Sequence, residues 1–116
     1  MADGPTQADL VYASVMNFVA PVLEETLFTG FLLNALARRY GFIAGALGVA
    51  LCFSLWHTPR YGIGAILIPL FFSSLTFSAI RVWCGSLLPA VMAHCTINGV
   101  IFIPKWTVAA LYLNRV

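Results

Sequence analysis

Five polar side chains interrupt apolar stretches of the sequence: Glu24, Glu25, His57, His94 and Asn98. A charged side chain at membrane depth costs roughly 2.5–3.5 kcal/mol on insertion scales, so its presence there is a functional-site hypothesis by default. A glutamate can act as the general base that activates a water molecule, and an imidazole and a carboxamide can stabilise a developing oxyanion. Together these residue types favour hydrolysis by a glutamate-activated water. The alternative is that each residue only hydrogen-bonds a neighbouring helix.

The spacing of these residues indicates which of them share a helix face. His94 and Asn98 are four residues apart, as are Phe53 and His57. Residues at this spacing stack on one face of a helix, with roughly 5–6 Å between their Cβ atoms. The two adjacent glutamates instead differ by about 100° around the helix axis. We therefore expect one carboxylate to face a cavity and the other to face a different neighbour.

The composition is that of an integral membrane protein. The chain is 61% hydrophobic and 9% charged, with a mean hydropathy of +0.94, whereas about one quarter of a soluble domain is charged. Its 116 residues suffice for one small helical bundle. The net charge of +2 is too small to suggest nucleic-acid binding. Three cysteines without C-x-x-C spacing indicate neither a disulfide framework nor a zinc ribbon.

The apolar segments predict an all-α fold, a polytopic membrane bundle of about four transmembrane helices plus a short C-terminal helix. The four predicted spans lie at residues 10–37, 42–57, 63–82 and 87–103. We predict a single membrane domain: an exposed lead-in at 1–9, a helical core at 10–103, and an interfacial or truncated helix at 104–116. Neither a basic n-region nor a cleavage site indicates a signal peptide.

Short links imply that successive helices alternate in direction, which allows the polar residues to be placed by depth. Glu24 follows Pro21, which either kinks the first helix or begins a new one. His57 ends the second helix, and His94 and Asn98 lie in the fourth. We therefore expect these four polar side chains to converge at a similar depth, in the half of the bilayer nearer the end of the second helix.

The cationic residues predict an orientation in the membrane. One end of the bundle carries Arg38, Arg39 and Arg81, and the other carries Arg60 and Lys105. Because cytoplasmic ends carry an excess of arginine and lysine, we expect the Arg38 end to face the cytoplasm. The predicted location is a bacterial or archaeal cell membrane, with the chain crossing it several times.

Three motifs together resemble those of the CAAX protease and bacteriocin-processing family, which includes abortive-infection and type II CAAX endopeptidases. They are Glu24-Glu25 followed by position 29 and Gly30, then Phe53-x-x-x-His57, then His94-x-x-x-Asn98. The resemblance covers about residues 15–102, and the three motifs stand in the family's order. It implies a glutamate-dependent intramembrane endopeptidase that acts on a peptide or protein substrate in contact with membrane lipid, with no cofactor.

The resemblance also implies roles for individual residues. Glu24 would activate the attacking water, with His57 hydrogen-bonded to that water or to the carboxylate. His94 and Asn98 would hold the oxyanion of the tetrahedral intermediate, and Glu25 would be a supporting carboxylate. The substrate of eukaryotic members is a prenylated CAAX C-terminus, whereas bacterial members more often act on another peptide.

Thr29 departs from the family pattern, which usually has arginine at this position. An arginine four residues after Glu25 would neutralise that carboxylate within the same helix, whereas threonine offers only a hydroxyl. Glu25 must then be protonated, meet another cation such as Arg60 or Arg81, or hydrogen-bond to neighbours, because a solitary buried anion is costly.

Other functions compete with this one. Glu24, His57 and His94 have the ligand types of a His₂Glu zinc site, although metal-free chemistry is favoured. Cys95 is a poor candidate nucleophile because a buried thiol without a cationic neighbour stays protonated. From a different class, the chain is a candidate non-catalytic immunity or peptide-binding membrane protein. Its small size also leaves open a minimal core, a fragment, or part of a homo-oligomer.

Overall fold

The computed structural model describes residues 6–113, with side chains described for residues 6–101. This part of the chain is helical and contains no strand. The helices are α1 (Gln7–Tyr40), α2 (Phe42–Trp56), α3 (Thr58–Tyr61), α4 (Leu67–Cys84) and α5 (Leu88–Leu113). Three segments are long and apolar enough to cross a membrane, namely Gln7–Tyr40, Phe42–Tyr61 and Leu67–Cys84. The predicted all-α membrane helical bundle is confirmed; of the four transmembrane helices predicted, three of the described helices have the length and composition of a span, and the fourth, Leu88–Ile101, is a shorter apolar helix.

Helix α1 begins at Gln7, three residues before the predicted start of the first span. Thr6 and Asp9 form a capping box: the Thr6 hydroxyl accepts from the Asp9 backbone N–H at 3.2 Å, and the Asp9 carboxylate accepts from the Thr6 N–H at 2.9 Å. This exchange satisfies backbone donors that have no partner inside the helix. It explains why residues 7–9, predicted as part of an exposed lead-in, are helical. Residues 1–5 of that lead-in lie outside the described residues.

Helix α1 contains two π-helical stretches, Val15–Val19 and Thr26–Leu32, on either side of Ala20–Glu25. Each stretch shifts the backbone hydrogen bonds by one residue, as in the bond from the Ala20 N–H to the Val15 carbonyl. Inserting a π turn changes the direction in which later side chains point. Pro21 therefore neither ends the helix nor begins a separate one, but lies in a continuous helix whose register changes twice around the glutamate pair.

The last turns of α1 pack tightly against α2, around Gly45. The buried core at this end of the bundle consists of Phe28, Leu33, Ala46, Val49 and Phe53. Gly41, with φ of +86°, makes the sharp turn between the two helices, a conformation that L side chains rarely adopt. The close approach of α1 and α2 fixes the position of the second helix against the first.

Helix α5 runs from Leu88 to Leu113. The separate short helix expected after residue 103 is instead the continuation of α5 through Pro104. A proline removes one hydrogen-bond donor, and a helix in a membrane tolerates this where neighbouring groups compensate. Residues 114–116, the end of that predicted helix, lie outside the described residues, as does the side chain of Lys105, so the predicted orientation stays a prediction.

We predict that Gly45→Ala destabilises the bundle by about 1–3 kcal/mol, the usual cost of overpacking a filled core. A Cβ at residue 45 would lie 2.8 Å from the Ala37 backbone nitrogen and 3.0 Å from its Cα. The matched control is Gly99→Ala, because a Cβ there meets nothing within 4 Å and alanine favours the helix. Thermal unfolding in detergent measures both. Equal melting temperatures for the two variants would contradict the tight contact.

Candidate active site

Glu24 lies between two imidazole rings on the wall of a cavity of about 730 Å³. Its Oε1 is 3.8 Å from His57 Nε2, and its Oε2 is 3.5 Å from His94 Nε2. These separations exceed those of a direct hydrogen bond, so Glu24 makes no close hydrogen bond to either ring. Asn98 also lines the cavity. The structure thus brings together the four polar side chains that the sequence places at a similar depth.

His57 is held by its own helix. Its Nδ1 donates a hydrogen bond of 2.8 Å to the Phe53 carbonyl oxygen, and because a carbonyl can only accept, the Nδ1 atom carries the proton. In a neutral ring, Nε2 then carries the lone pair, which faces Glu24. The Phe53 ring lies 4.6 Å from the His57 ring, centroid to centroid. The predicted pairing of these two residues on one helix face positions the imidazole.

The Glu25 side chain points in a different direction from that of Glu24 and is fully buried. Its Oε1 is joined to His94 Nδ1 by a hydrogen bond of 2.7 Å, and its Oε2 accepts a hydrogen bond of 2.8 Å from the Thr29 hydroxyl. No arginine pairs with it among residues 6–101. Without an arginine at position 29, Glu25 was expected to be protonated, to meet another cation, or to hydrogen-bond to its neighbours. The structure shows the hydrogen bonds to neighbours.

His94 connects the two glutamates. One ring nitrogen bonds Glu25 and the other faces Glu24, so this single side chain couples both carboxylates. The ring is only 5% exposed. It stacks on Phe77 at 4.7 Å and meets the edge of Phe53 at 5.8 Å. These contacts fix the orientation of the imidazole plane.

Phe77 is a residue of the site that the sequence analysis missed. Its ring is buried, lines the cavity and stacks on His94. An apolar ring in an apolar helix has no feature that distinguishes it from the rest of the core. Phe77 belongs to the site only because its ring stacks on His94, which lies on a different helix.

Asn98 is tied to the irregular backbone of α1. Its Nδ2 donates a hydrogen bond of 3.1 Å to the Met16 carbonyl. In the π register of Val15–Val19, that carbonyl would pair with the N–H of residue 21, which proline lacks. The asparagine therefore satisfies a backbone acceptor that Pro21 leaves free. One N–H of its amide remains for a ligand in the cavity.

The rest of the cavity is mainly apolar. Its walls come from all four long helices and the short α3, and they include Trp56, Pro69, Leu70, Phe77, Ile97 and Ile101. Its polar lining residues include Glu24, His57, His94 and Asn98. A cavity of this size with a few convergent polar groups is the usual form of a binding or active site.

The ligand types for zinc converge here, since Glu24 faces both imidazoles. Among residues 6–101, no group of three His, Cys, Asp or Glu side chains has an arrangement suited to holding a metal ion. The described residues therefore give no geometric support to a His₂Glu zinc site.

Comparison with known protein families identifies a relationship over most of the chain. Residues 6–100 match the family model described as type II CAAX prenyl endopeptidase Rce1-like. No curated protein and no solved structure matches the chain. The matched region contains Glu24, Glu25, His57, His94 and Asn98.

We predict that Thr29→Val lowers the free energy of unfolding by about 1–3 kcal/mol. The reason is that Glu25 Oε2 would stay buried without the hydrogen bond that the Thr29 hydroxyl donates to it. Valine matches threonine in shape, so the change removes only the hydroxyl. Thr29→Ser keeps the hydroxyl and is the matched control. Thermal unfolding in detergent checks the difference, and a Thr29→Val protein as stable as wild type would contradict the importance of this bond.

Proposed function

This chain belongs to the Rce1-like family of type II CAAX prenyl endopeptidases, and we propose that it is an intramembrane endopeptidase in which Glu24 activates the water that attacks a peptide bond. The family is one of membrane proteases, and the chain is an integral membrane protein with several helices of spanning length. The catalytic mechanism and the residues assigned to it are part of what we propose.

The position of Glu24 is the observation that carries the proposal. A carboxylate on the wall of a mainly apolar cavity, 3.8 Å and 3.5 Å from two imidazole nitrogens, has the surroundings of a general base. A structural carboxylate would be expected to make close hydrogen bonds to protein groups, as Glu25 does. Glu24 instead makes no close hydrogen bond to either imidazole and lines the cavity, from which a water molecule can reach it.

In the proposed reaction, Glu24 removes a proton from the water as the oxygen attacks the peptide carbonyl carbon. The lone pair on His57 Nε2 accepts the second hydrogen of the water and orients it, because His57 Nδ1 already donates to the Phe53 carbonyl. The carbonyl oxygen becomes an oxyanion. When the tetrahedral intermediate collapses, the C–N bond breaks and Glu24 returns the proton to the departing amine.

The oxyanion would accept hydrogen bonds from His94 Nε2 and from the remaining N–H of Asn98. For His94 this requires a proton on Nε2. A buried Glu25 anion without a cation is costly, so the Glu25–His94 pair is favoured as a net-neutral unit. Whether the shared proton rests on Glu25 or on His94 Nδ1, a neutral pair carries a hydrogen on His94 Nε2, which points towards Glu24 and the cavity.

The proposed substrate is a CAAX-like or other peptide that enters from the membrane. The apolar cavity walls suit apolar side chains or a lipid modification, and the family name points to prenylated peptides. We place the protein in a bacterial or archaeal cell membrane, crossing it several times. A homo-oligomer is the alternative to a monomer.

The competing proposal is a non-catalytic immunity or peptide-binding protein of the same fold. Such a protein would use the same cavity to bind a peptide, without a reactive water and without a catalytic role for Glu24. The gap between Glu24 and both imidazoles favours the enzyme, since a merely structural carboxylate has no need of two histidines held beyond hydrogen-bonding distance.

We predict that Glu24→Gln lowers the rate of peptide cleavage by about 10²- to 10⁴-fold, the usual contribution of a general base. The substitution is nearly isosteric, so we expect the protein still to fold. Asp9→Asn is the matched carboxylate-to-amide control, because Asp9 bonds only Thr6 at the start of α1. Purified protein in detergent with a fluorescent peptide gives the rates. Cleavage by the Glu24→Gln protein at the wild-type rate would rule out the base, and biological activity without any cleavage would favour the binding protein.

We predict that a zinc chelator leaves turnover unchanged. A metal-binding nitrogen must be free of its proton, whereas the neutral Glu25–His94 pair keeps a hydrogen on His94 Nε2. The measurement is cleavage before and after chelation, with the metal content determined per chain. Loss of activity that returns with added zinc, at one metal per chain, would instead favour Glu24, His57 and His94 as ligands.

A further inference from the structure

Ser73 lines the same cavity as Glu24, from the wall that α4 forms. The other α4 side chains on this wall are Pro69, Leu70 and Phe77, and none of them carries a hydrogen-bonding group. Among the residues that the structure describes, Ser73 is therefore the one hydrogen-bonding side chain that α4 presents to the cavity. The residue is partly exposed, as expected at a cavity wall.

The hydroxyl of Ser73 is not used by its own helix. Serine and threonine side chains inside helices can donate to a carbonyl one turn before them, and Thr76 on the same helix does so, to Phe72 at 3.0 Å. Ser54 on α2 makes the same kind of bond, to Leu51 at 3.0 Å. Within residues 6–101 the Ser73 hydroxyl has no hydrogen-bond partner. It is therefore available to a molecule bound in the cavity.

The depth of Ser73 follows from the packing of α4 against α5. These two helices form an antiparallel pair joined at Gly85, whose φ is +64°, and the rings of Phe77 and His94 stack between them at 4.7 Å. Ser73 lies four residues before Phe77, and Asn98 lies four residues after His94. Because the helices run in opposite directions, Ser73 and Asn98 both lie one turn from the stacked rings, on the same side.

His57 lies at this depth as well. Its helix, α2, runs in the same direction as α5, and the Phe53 ring meets that of His94 at 5.8 Å. His57 follows Phe53 by four residues, just as Asn98 follows His94. One turn from the packed rings, the cavity is thus lined by one polar side chain from each of three helices, namely His57, Ser73 and Asn98.

A peptide in this cavity needs partners for its backbone N–H and C=O groups, because an unpaired peptide group in apolar surroundings is costly. We propose that the Ser73 hydroxyl hydrogen-bonds the substrate backbone at a peptide group next to the scissile bond, an inference that rests on the proposed endopeptidase function. Ser73 is a substrate-binding residue in this assignment and takes no part in the bond-breaking step.

A hydroxyl suits this task because it can both donate and accept a hydrogen bond. It can pair with the N–H or the C=O of a peptide group, whatever side chains the substrate carries. The contact fixes the backbone on the α4 side of the cavity while Glu24 and His57 lie on other walls. Such alignment matters because the reacting atoms must approach to about 3–3.5 Å before the chemical step.

The competing role for Ser73 is a further donor to the oxyanion, since it lies at the depth of Asn98. In the proposed reaction the oxyanion already has donors from His94 and Asn98, whereas the peptide groups on either side of the scissile bond have none. The two roles differ in kinetics. Loss of an oxyanion donor lowers kcat, whereas loss of a contact made equally in the ground state and the transition state raises KM.

The first experiment measures cleavage of a fluorescent apolar peptide by Ser73→Ala protein in detergent. We expect KM to rise about 5- to 100-fold, because a backbone group of the bound peptide is left without a partner, with a smaller change in kcat. Alanine favours the helix, so we expect this variant to fold. Ser74→Ala is the matched control, because Ser74 is fully buried and does not line the cavity, and it should keep the wild-type KM. An unchanged KM for Ser73→Ala, or a fall in kcat alone, would overturn the assignment.

The second experiment alters the substrate backbone. In two further peptides of the same sequence, an ester replaces the peptide bond just before or just after the scissile one, which removes an N–H and weakens the carbonyl as an acceptor. We expect one of these esters to raise the KM of wild-type and Ser74→Ala protein but to leave that of Ser73→Ala unchanged, since effects of groups in direct contact are not additive. Equal factors in wild-type and Ser73→Ala protein for both esters, including no effect in either protein, would overturn the contact.

Binding to Glu24→Gln protein, followed by fluorescence anisotropy of the labelled peptides, separates this proposal from the endopeptidase function. Weaker binding of one ester that disappears when Ser73→Ala is added, without cleavage by wild-type protein, would support the Ser73 contact and overturn the proposed reaction. Equal binding of all three peptides, together with cleavage by wild-type protein, would overturn the Ser73 contact and leave the endopeptidase function intact.

Discussion

The hydrogen bond of 2.7 Å between Glu25 and His94 is the contact on which the rest of the site depends. It joins α1 to α5 across the interior, between two groups that are almost completely buried. Burying a lone carboxylate is costly, but a carboxylate and an imidazole that share a proton form a neutral unit. Thr29 stands where the sequence analysis expects an arginine, and the partners that Glu25 has instead are the Thr29 hydroxyl and His94 Nδ1. The same contact presents the other nitrogen of His94 to Glu24.

Two adjacent glutamates therefore have different environments because of helix geometry alone. Neighbouring residues on a helix differ by about 100° in direction, so when Glu25 points into the core towards His94, Glu24 points into the cavity. Glu25 has its oxygens bonded to Thr29 and His94. Glu24 stands beyond hydrogen-bonding distance of either imidazole. One carboxylate is hydrogen-bonded in the interior, while its neighbour lines the cavity.

The convergence of Glu24, His57, His94 and Asn98 was predictable because polar residues in apolar helices are rare and because short links fix the direction of each helix. Sequence spacing also placed the two glutamates on different faces. The π register of α1 and the stacking of Phe77 were not predictable. Each depends on how one helix contacts another, and local sequence carries no signal for it.

Pro21 shows how an irregular backbone and a functional side chain depend on each other. Because proline has no N–H, the π register of Val15–Val19 leaves the Met16 carbonyl without its backbone donor. A free carbonyl is unfavourable in an apolar interior, and Asn98 satisfies it from α5. The same bond fixes the amide at the wall of the cavity, where its second N–H remains available. The helix irregularity two turns before Glu24 thus positions a group on a different helix.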